Sequence, residues 1–61
     1  MKRYHDAWKS GVIAGWQSIR GSGSKPTIPS PPGSIPSSVK NKVQWYYAEG
    51  YKRGIQKAKA F

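Results

Sequence analysis

The sequence predicts an all-α protein, a two-helix antiparallel hairpin joined by a long linker rich in Pro, Gly and Ser. Three observations lead to this fold. Both ends of the chain space their apolar residues as helices do, segment 4–15 recurs in pattern as segment 47–58, and all five prolines lie between the two. In the recurrence Gly11 corresponds to Gly54, and aromatic, acidic and basic residues follow in the same order. We therefore expect one small domain, residues 1–61, built from two similar helices.

A first helix is predicted over about residues 4–19. Its apolar residues are three or four positions apart, which fits a helix and not the alternation of a strand. This stripe consists of Tyr4, Trp8, Val12, Trp16 and Ile19. Beside it runs a row of small residues, Ala7, Gly11 and Gly15. Because glycine costs roughly 0.8–1 kcal/mol relative to alanine inside a helix, the row predicts the close approach of another backbone.

Residues 20–37 are predicted to be a linker. Its prolines exclude a helix or a central strand. Extended at about 3.1 Å per residue, the linker is long enough to span back over the roughly 24 Å length of a sixteen-residue helix. Its two large apolar residues, Ile28 and Ile35, are expected to hold it against the helices.

A second helix is predicted over about residues 38–59, with Ser37 or Ser38 as its N-cap. It has a matching row of small residues, Gly50, Gly54 and Ala58. We expect the two rows to face each other with pseudo-twofold character, while the aromatic residues pack around the seam.

Size and charge limit the classes of function. A chain of 61 residues buries only about 60% of the surface that it exposes when unfolded, so a deep enzyme pocket is not expected. Without cysteine there is neither a disulfide framework nor a thiolate metal site. Eleven Lys and Arg against two acidic residues give a net charge of +9, which favours a polyanionic partner such as nucleic acid. No apolar run approaches the roughly 20 residues of a membrane span. His5, Asp6 and Lys9 stand where a signal peptide would have its apolar segment, so we expect a cytoplasmic protein. The rows of glycines argue against a lone helix at a membrane surface, so we expect no membrane partner.

The sequence does not predict an enzyme, a metal site or a cofactor. It contains one His, one Asp and one Glu. His5 and Asp6 are adjacent, and neighbours on a helix point about 100° apart, so they do not form an acid–base pair. Asp6 and Glu49 are better explained by helix-stabilising ion pairs with Lys9 and Arg53.

The predicted RNA-contacting residues are cations and aromatic rings. Lys and Arg would position the protein on phosphates, and exposed rings would stack on unpaired bases. The cations are Lys2, Arg3, Lys9, Arg20, Lys40, Lys42, Lys52, Arg53 and Lys57. Trp45, Tyr46 and Tyr47 cannot all face one way on a helix, so at least one is exposed. Trp45 and Tyr46 are the rings assigned to RNA.

Segments 7–15 and 44–54, separated by a Pro-containing connector, resemble the ribosome modulation factor family. That family is similar in size, strongly basic, and has a Gly-bearing first helix and an aromatic, Gly-rich second helix. The linker here is longer and richer in Pro, Gly and Ser, and it lacks the family's Pro–aromatic pair. The positions that match are Lys9, Gly11, Gly15, Trp45, Gly50, Tyr51 and Lys52.

The resemblance implies a stress or stationary-phase protein that binds ribosomal RNA of the small ribosomal subunit near the site that pairs with messenger leaders. It further implies ribosome hibernation, in which ribosomes are stored as inactive dimers. The alternative is a phage- or mobile-element-type inhibitor that binds an acidic surface of a host protein, since basic charge serves that role equally well. The small-residue grooves also favour a homodimer.

Overall fold

The computed structural model describes residues 3–60, and of Arg3 it describes the backbone only. It consists of helix α1 (Arg3–Arg20) and helix α2 (Lys42–Ala60), with no strand between residues 3 and 60. The all-α class and the pair of packed helices joined by a long linker are confirmed. Lys2 and the side chain of Arg3, both predicted to contact RNA, lie outside the described residues.

Helix α1 ends at a glycine in a left-handed backbone conformation. Gly21 has a φ of 88°, and its N–H donates to the carbonyl oxygen of Gln17 at 2.8 Å. This is the usual helix-ending geometry that glycine adopts without the steric cost of a Cβ. Helix α1 therefore ends at Arg20, one residue later than predicted.

Helix α2 begins three or four residues later than predicted. Its N-cap is Asn41, whose side-chain Oδ1 accepts the backbone N–H of Gln44 at 3.0 Å. The assignment of Ser37 or Ser38 as the N-cap is wrong, because the chain turns there and the N–H of Val39 donates to the carbonyl oxygen of Pro36. Asn followed three residues later by Gln is a known N-terminal pattern, and it was available in the sequence.

The two helices run parallel, so the predicted antiparallel direction is wrong. Gly11 lies against the backbone of Tyr47 and Tyr51, and Gly15, one turn later, lies against Tyr51 and Ile55. The contacts advance in the same direction along both helices. The linker makes this direction possible because it carries the chain back to the starting end of α1 before α2 begins.

The seam between the helices consists of two matching Gly-x-x-x-Gly pairs. Gly11 and Gly15 of α1 face the α2 backbone, and Gly50 and Gly54 face the α1 backbone at Trp8, Val12 and Trp16. A Cβ at any of these glycines would overlap a carbonyl oxygen of the other helix. The missing side chains thus allow a close backbone approach, as in other small-x-x-x-small helix pairs.

The expected pseudo-twofold relationship exists in a shifted register. Gly11 contacts Tyr47 and Tyr51 just as Gly50 contacts Trp8 and Val12, so Gly11 corresponds structurally to Gly50. The sequence recurrence instead matches Gly11 to Gly54, which is one helical turn further along. The predicted helix-packing residues are nevertheless placed correctly. The four glycines and Ala58 are buried, and Ala7 packs on the core.

The linker is held by three aromatic residues that donate hydrogen bonds to it. Trp16 Nε1 donates to Ser24 Oγ at 2.9 Å, Trp8 Nε1 to the carbonyl oxygen of Pro29 at 2.8 Å, and Tyr46 Oη to that of Pro32 at 3.2 Å. The linker therefore runs antiparallel to α1 along one side of the helix pair.

Apolar packing also fixes the linker, as predicted. Ile28 and Ile35 pack on the core cluster formed by Trp8, Val12 and Tyr46. Val12, at 0% exposure, is enclosed between the seam and the linker. The linker thus supplies the third layer that a pair of helices needs to enclose a core.

Candidate nucleic-acid interface

Cations dominate the surface of the molecule. Two carboxylates cannot neutralise eleven Lys and Arg. Of the residues predicted to contact phosphate, Lys9, Arg20, Lys40, Lys42, Lys52 and Arg53 are exposed and Lys57 is half-buried. Most of the predicted cationic set is therefore available to a polyanion.

Glu49 pairs with Lys52 rather than with the predicted Arg53. The distance from Lys52 Nζ to Glu49 Oε2 is 3.3 Å, and the Lys52 side chain keeps 70% of its exposure. A pair so open to water contributes little to stability. Its main consequence is to place the only carboxylate of α2 among cations.

Arg20 lies over an aromatic ring at the end of α1. Its guanidinium carbon is 5.9 Å from the ring centroid of Trp16, within the range of a cation–π interaction. Arg20 therefore contributes to packing at this end as well as to the surface charge.

The aromatic assignments are partly wrong. Tyr46 is only 5% exposed and is stacked on Tyr4, with ring centroids 5.6 Å apart, so it is not available to stack on a base. Trp45 is half-buried and meets the Tyr46 ring edge-on. Among the consecutive aromatic residues 45–47, the exposed ring is that of Tyr47, which is 42% exposed and stacks on Tyr51.

The pseudo-twofold relationship explains why Tyr47 is exposed. It corresponds to Trp8, which lies on the side of the helix pair that the linker covers. Trp8 is 4% exposed because the linker covers it. Tyr47 occupies the equivalent position of α2 on the opposite side of the helix pair, where no linker covers it. The sequence alone does not indicate which side of the helix pair the linker covers.

Two clefts separate the linker from α2. The first, which we call the Glu49 cleft, has a volume of about 290 Å³. It is lined by Trp8, Ser30, Pro32, Glu49, Lys52, Arg53 and Gln56. The second has a volume of about 300 Å³ and is lined by Trp16, Thr27, Lys57 and Ala60. Each cleft thus combines a tryptophan, a linker wall and at least one cation.

The clefts lie along one edge of α2. Arg53 and Lys57 are four residues apart, which places them on the same helix face about 6 Å apart along the axis. The two clefts therefore form a discontinuous groove with cations from one helix along it, a geometry that suits the backbone of an extended polyanion.

Neither a metal centre nor a membrane span is found in the described part of the chain. Between residues 3 and 60, no three His, Asp or Glu side chains come together as metal ligands would. Neither of the two helices there is long and apolar enough to cross a bilayer.

No family model matches the chain, and no curated protein or solved structure is significantly similar to it. The relationship to the ribosome modulation factor family stays a prediction from the residues named above.

Proposed function

We propose that this protein is a non-enzymatic RNA-binding protein that modulates translation by binding RNA of the small ribosomal subunit. The observation that carries the proposal is the groove between the linker and α2. Its two clefts are lined by Trp8 and Trp16 and by the cations Lys52, Arg53 and Lys57. Phosphates would be held by the cations, and unpaired bases would enter the clefts.

The electrostatics support a polyanionic partner. With a charge of +9 on 61 residues, the free protein repels itself, and binding phosphate relieves that repulsion. Each phosphate neutralised on a single strand releases counterions, so the logarithm of the affinity should fall with the logarithm of salt concentration by about 0.7 per contact.

The fold supports a preformed binding surface. The glycine seam fixes α2 against α1, and the indole N–H of Trp8 holds the linker at Pro29. Cations on such a scaffold lose little conformational freedom on binding compared with those on a disordered chain.

The ribosomal target comes from the resemblance of segments 7–15 and 44–54 to the ribosome modulation factor family. We propose on the same basis that it acts under stress, and we propose a cytoplasmic location and no cofactor. Of the matching positions, Lys9 and Lys52 are exposed and would reach RNA, whereas Gly11, Gly15 and Gly50 would act through the helix seam.

Affinity purification of the tagged protein from cell lysate, with and without ribonuclease, tests the proposal. We expect small-subunit RNA and proteins in the untreated sample and their loss after ribonuclease. A protein that is retained equally in both samples, with no ribosomal RNA, would contradict the proposal and favour an inhibitor of a host protein.

A further inference from the structure

We propose that the Glu49 cleft binds one unpaired guanine of a single-stranded RNA segment. This inference rests on the proposed function and assigns to it a site and a base. Glu49 would accept hydrogen bonds from the guanine edge, and Lys52 and Arg53 would contact the flanking phosphates.

The size of the cleft suits a single base. At about 290 Å³ it lies just below the range for drug-sized ligands, roughly 300–1,000 Å³, as expected for a smaller ligand such as one base. Trp8 is nearly buried and its N–H is already donated to Pro29, so the indole forms part of the floor and is not a stacking partner. Ser30 and Pro32 of the linker form the opposite wall.

The charges in the cleft favour a base inside and phosphates outside. Glu49 is the only acidic residue that lines it, and a phosphate placed against this carboxylate would be repelled. Lys52 and Arg53 are exposed and line the same cleft. A nucleotide is therefore oriented with its base toward Glu49 and its phosphates toward the two cations.

Glu49 has acceptor capacity to spare. Lys52 contacts Oε2 from 3.3 Å, and an ionised carboxylate offers about four lone-pair sites. Both lone pairs of Oε1 and the second lone pair of Oε2 therefore remain for a ligand. The side chain is about one-third exposed, so a ligand can reach it. Gln56 adds an amide to the lining of the cleft.

The chemistry of the bases selects guanine. Its Watson–Crick edge presents two adjacent donors, N1–H and the N2 amino group, which match the two oxygens of a carboxylate in a paired geometry. The equivalent edges of adenine, cytosine and uracil each place an acceptor beside their donor, so one carboxylate oxygen would face a lone pair. In a duplex the guanine edge is occupied, and hence the cleft requires an unpaired base.

The linker keeps the cleft open. Hydrogen bonds from Trp8 to Pro29 and from Tyr46 to Pro32 hold the segment that includes Ser30 and Pro32. The wall is therefore in place before RNA arrives, which reduces the entropy lost on binding.

Fluorescence anisotropy with labelled oligouridine strands, each carrying G, A, C or U at one central position, tests the inference. We expect the wild-type protein to bind the G strand about tenfold more tightly than the U strand, as a good bidentate contact allows. Glu49→Gln should reduce this preference to less than twofold, because the amide presents a donor to guanine. Its affinity for the U strand should be retained or increased.

Asp6→Asn is the matched control. It removes the same charge from an exposed position in the first turn of α1, outside the cleft. We expect it to keep the full preference for guanine. Circular dichroism of both variants checks that the helices are retained.

Two results would overturn the inference, namely equal binding of all four strands by the wild-type protein or an unchanged guanine preference in Glu49→Gln. Both leave RNA binding itself intact. Failure of the wild-type protein to bind either these strands or small-subunit RNA would instead refute the proposed function.

Discussion

Gly54 lies so close to Val12 of the opposite helix that a Cβ on the glycine would overlap the Val12 carbonyl oxygen. The hydrogen that replaces the side chain points toward this oxygen, the geometry of a weak Cα–H···O contact. Gly50 meets Trp8 in the same way. The stability of this small chain depends on backbone proximity at the seam as well as on aromatic packing.

Gly54→Ala is expected to lower the free energy of unfolding by about 2 kcal/mol. Overpacking against a backbone destabilises a protein by up to about 3 kcal/mol, and the higher helix propensity of alanine offsets about 1 kcal/mol of this loss. Gly33→Ala is the control, because a Cβ there meets nothing within 4 Å. Urea denaturation measures both variants, and equal stabilities would show that the seam is not tightly packed.

Removing the hydroxyl groups of the neighbouring residues Tyr46 and Tyr47 tests whether the Tyr46 hydroxyl holds the linker against the helices. Tyr46→Phe removes the hydrogen bond to Pro32 and should cost about 0.5–1.5 kcal/mol. Tyr47→Phe alters an exposed ring and should change stability by less than about 0.5 kcal/mol. Thermal unfolding compares them, and limited proteolysis should cleave the linker faster only in Tyr46→Phe. Identical behaviour would contradict the role given to the Tyr46 hydroxyl.

The start of α2 is tested by two substitutions at candidate caps. Asn41→Ala removes the acceptor of the Gln44 N–H and should destabilise the protein by about 1 kcal/mol. Ser38→Ala lies in the preceding turn and should have little effect. Backbone chemical shifts measured by NMR should show fraying of the first turn of α2 in the Asn41 variant alone. Fraying caused by Ser38→Ala would favour the earlier start that the sequence analysis predicted.

The left-handed backbone conformation of Gly21, which ends α1, can be tested by substitution. Gly21→Ala forces a residue with a Cβ into a left-handed conformation and should cost about 1 kcal/mol. Gly23→Ala, where φ is not positive and space is open, should be nearly neutral. Differential scanning calorimetry distinguishes them, and a neutral Gly21→Ala would be inconsistent with the αL geometry.

The sequence predicted the elements better than their arrangement. Apolar spacing located both helices, and the rows of small residues correctly identified the seam, because helix periodicity is a local property. Direction is not local, since it depends on the path of residues 21–41. The linker is long enough to return along α1, but the recurrence of the helical pattern does not say whether the second helix runs parallel or antiparallel to the first.

The candidate site could be predicted only in part. Exposed cations such as Lys52 and Arg53 followed from composition, whereas the buried position of Tyr46 depends on which side of the helix pair the linker covers. The Glu49 cleft exists only because residues 30 and 32 lie opposite α2. No spacing pattern within one helix could have indicated a wall supplied by the linker.

Sedimentation of the purified protein with purified small ribosomal subunits is the decisive test of ribosome binding. We expect the wild-type protein to migrate with the small subunit. A triple variant, Lys52→Ala, Arg53→Ala and Lys57→Ala, with unchanged helicity should instead stay near the top of the gradient. Wild-type protein that remains at the top, apart from the subunits, would contradict ribosome binding.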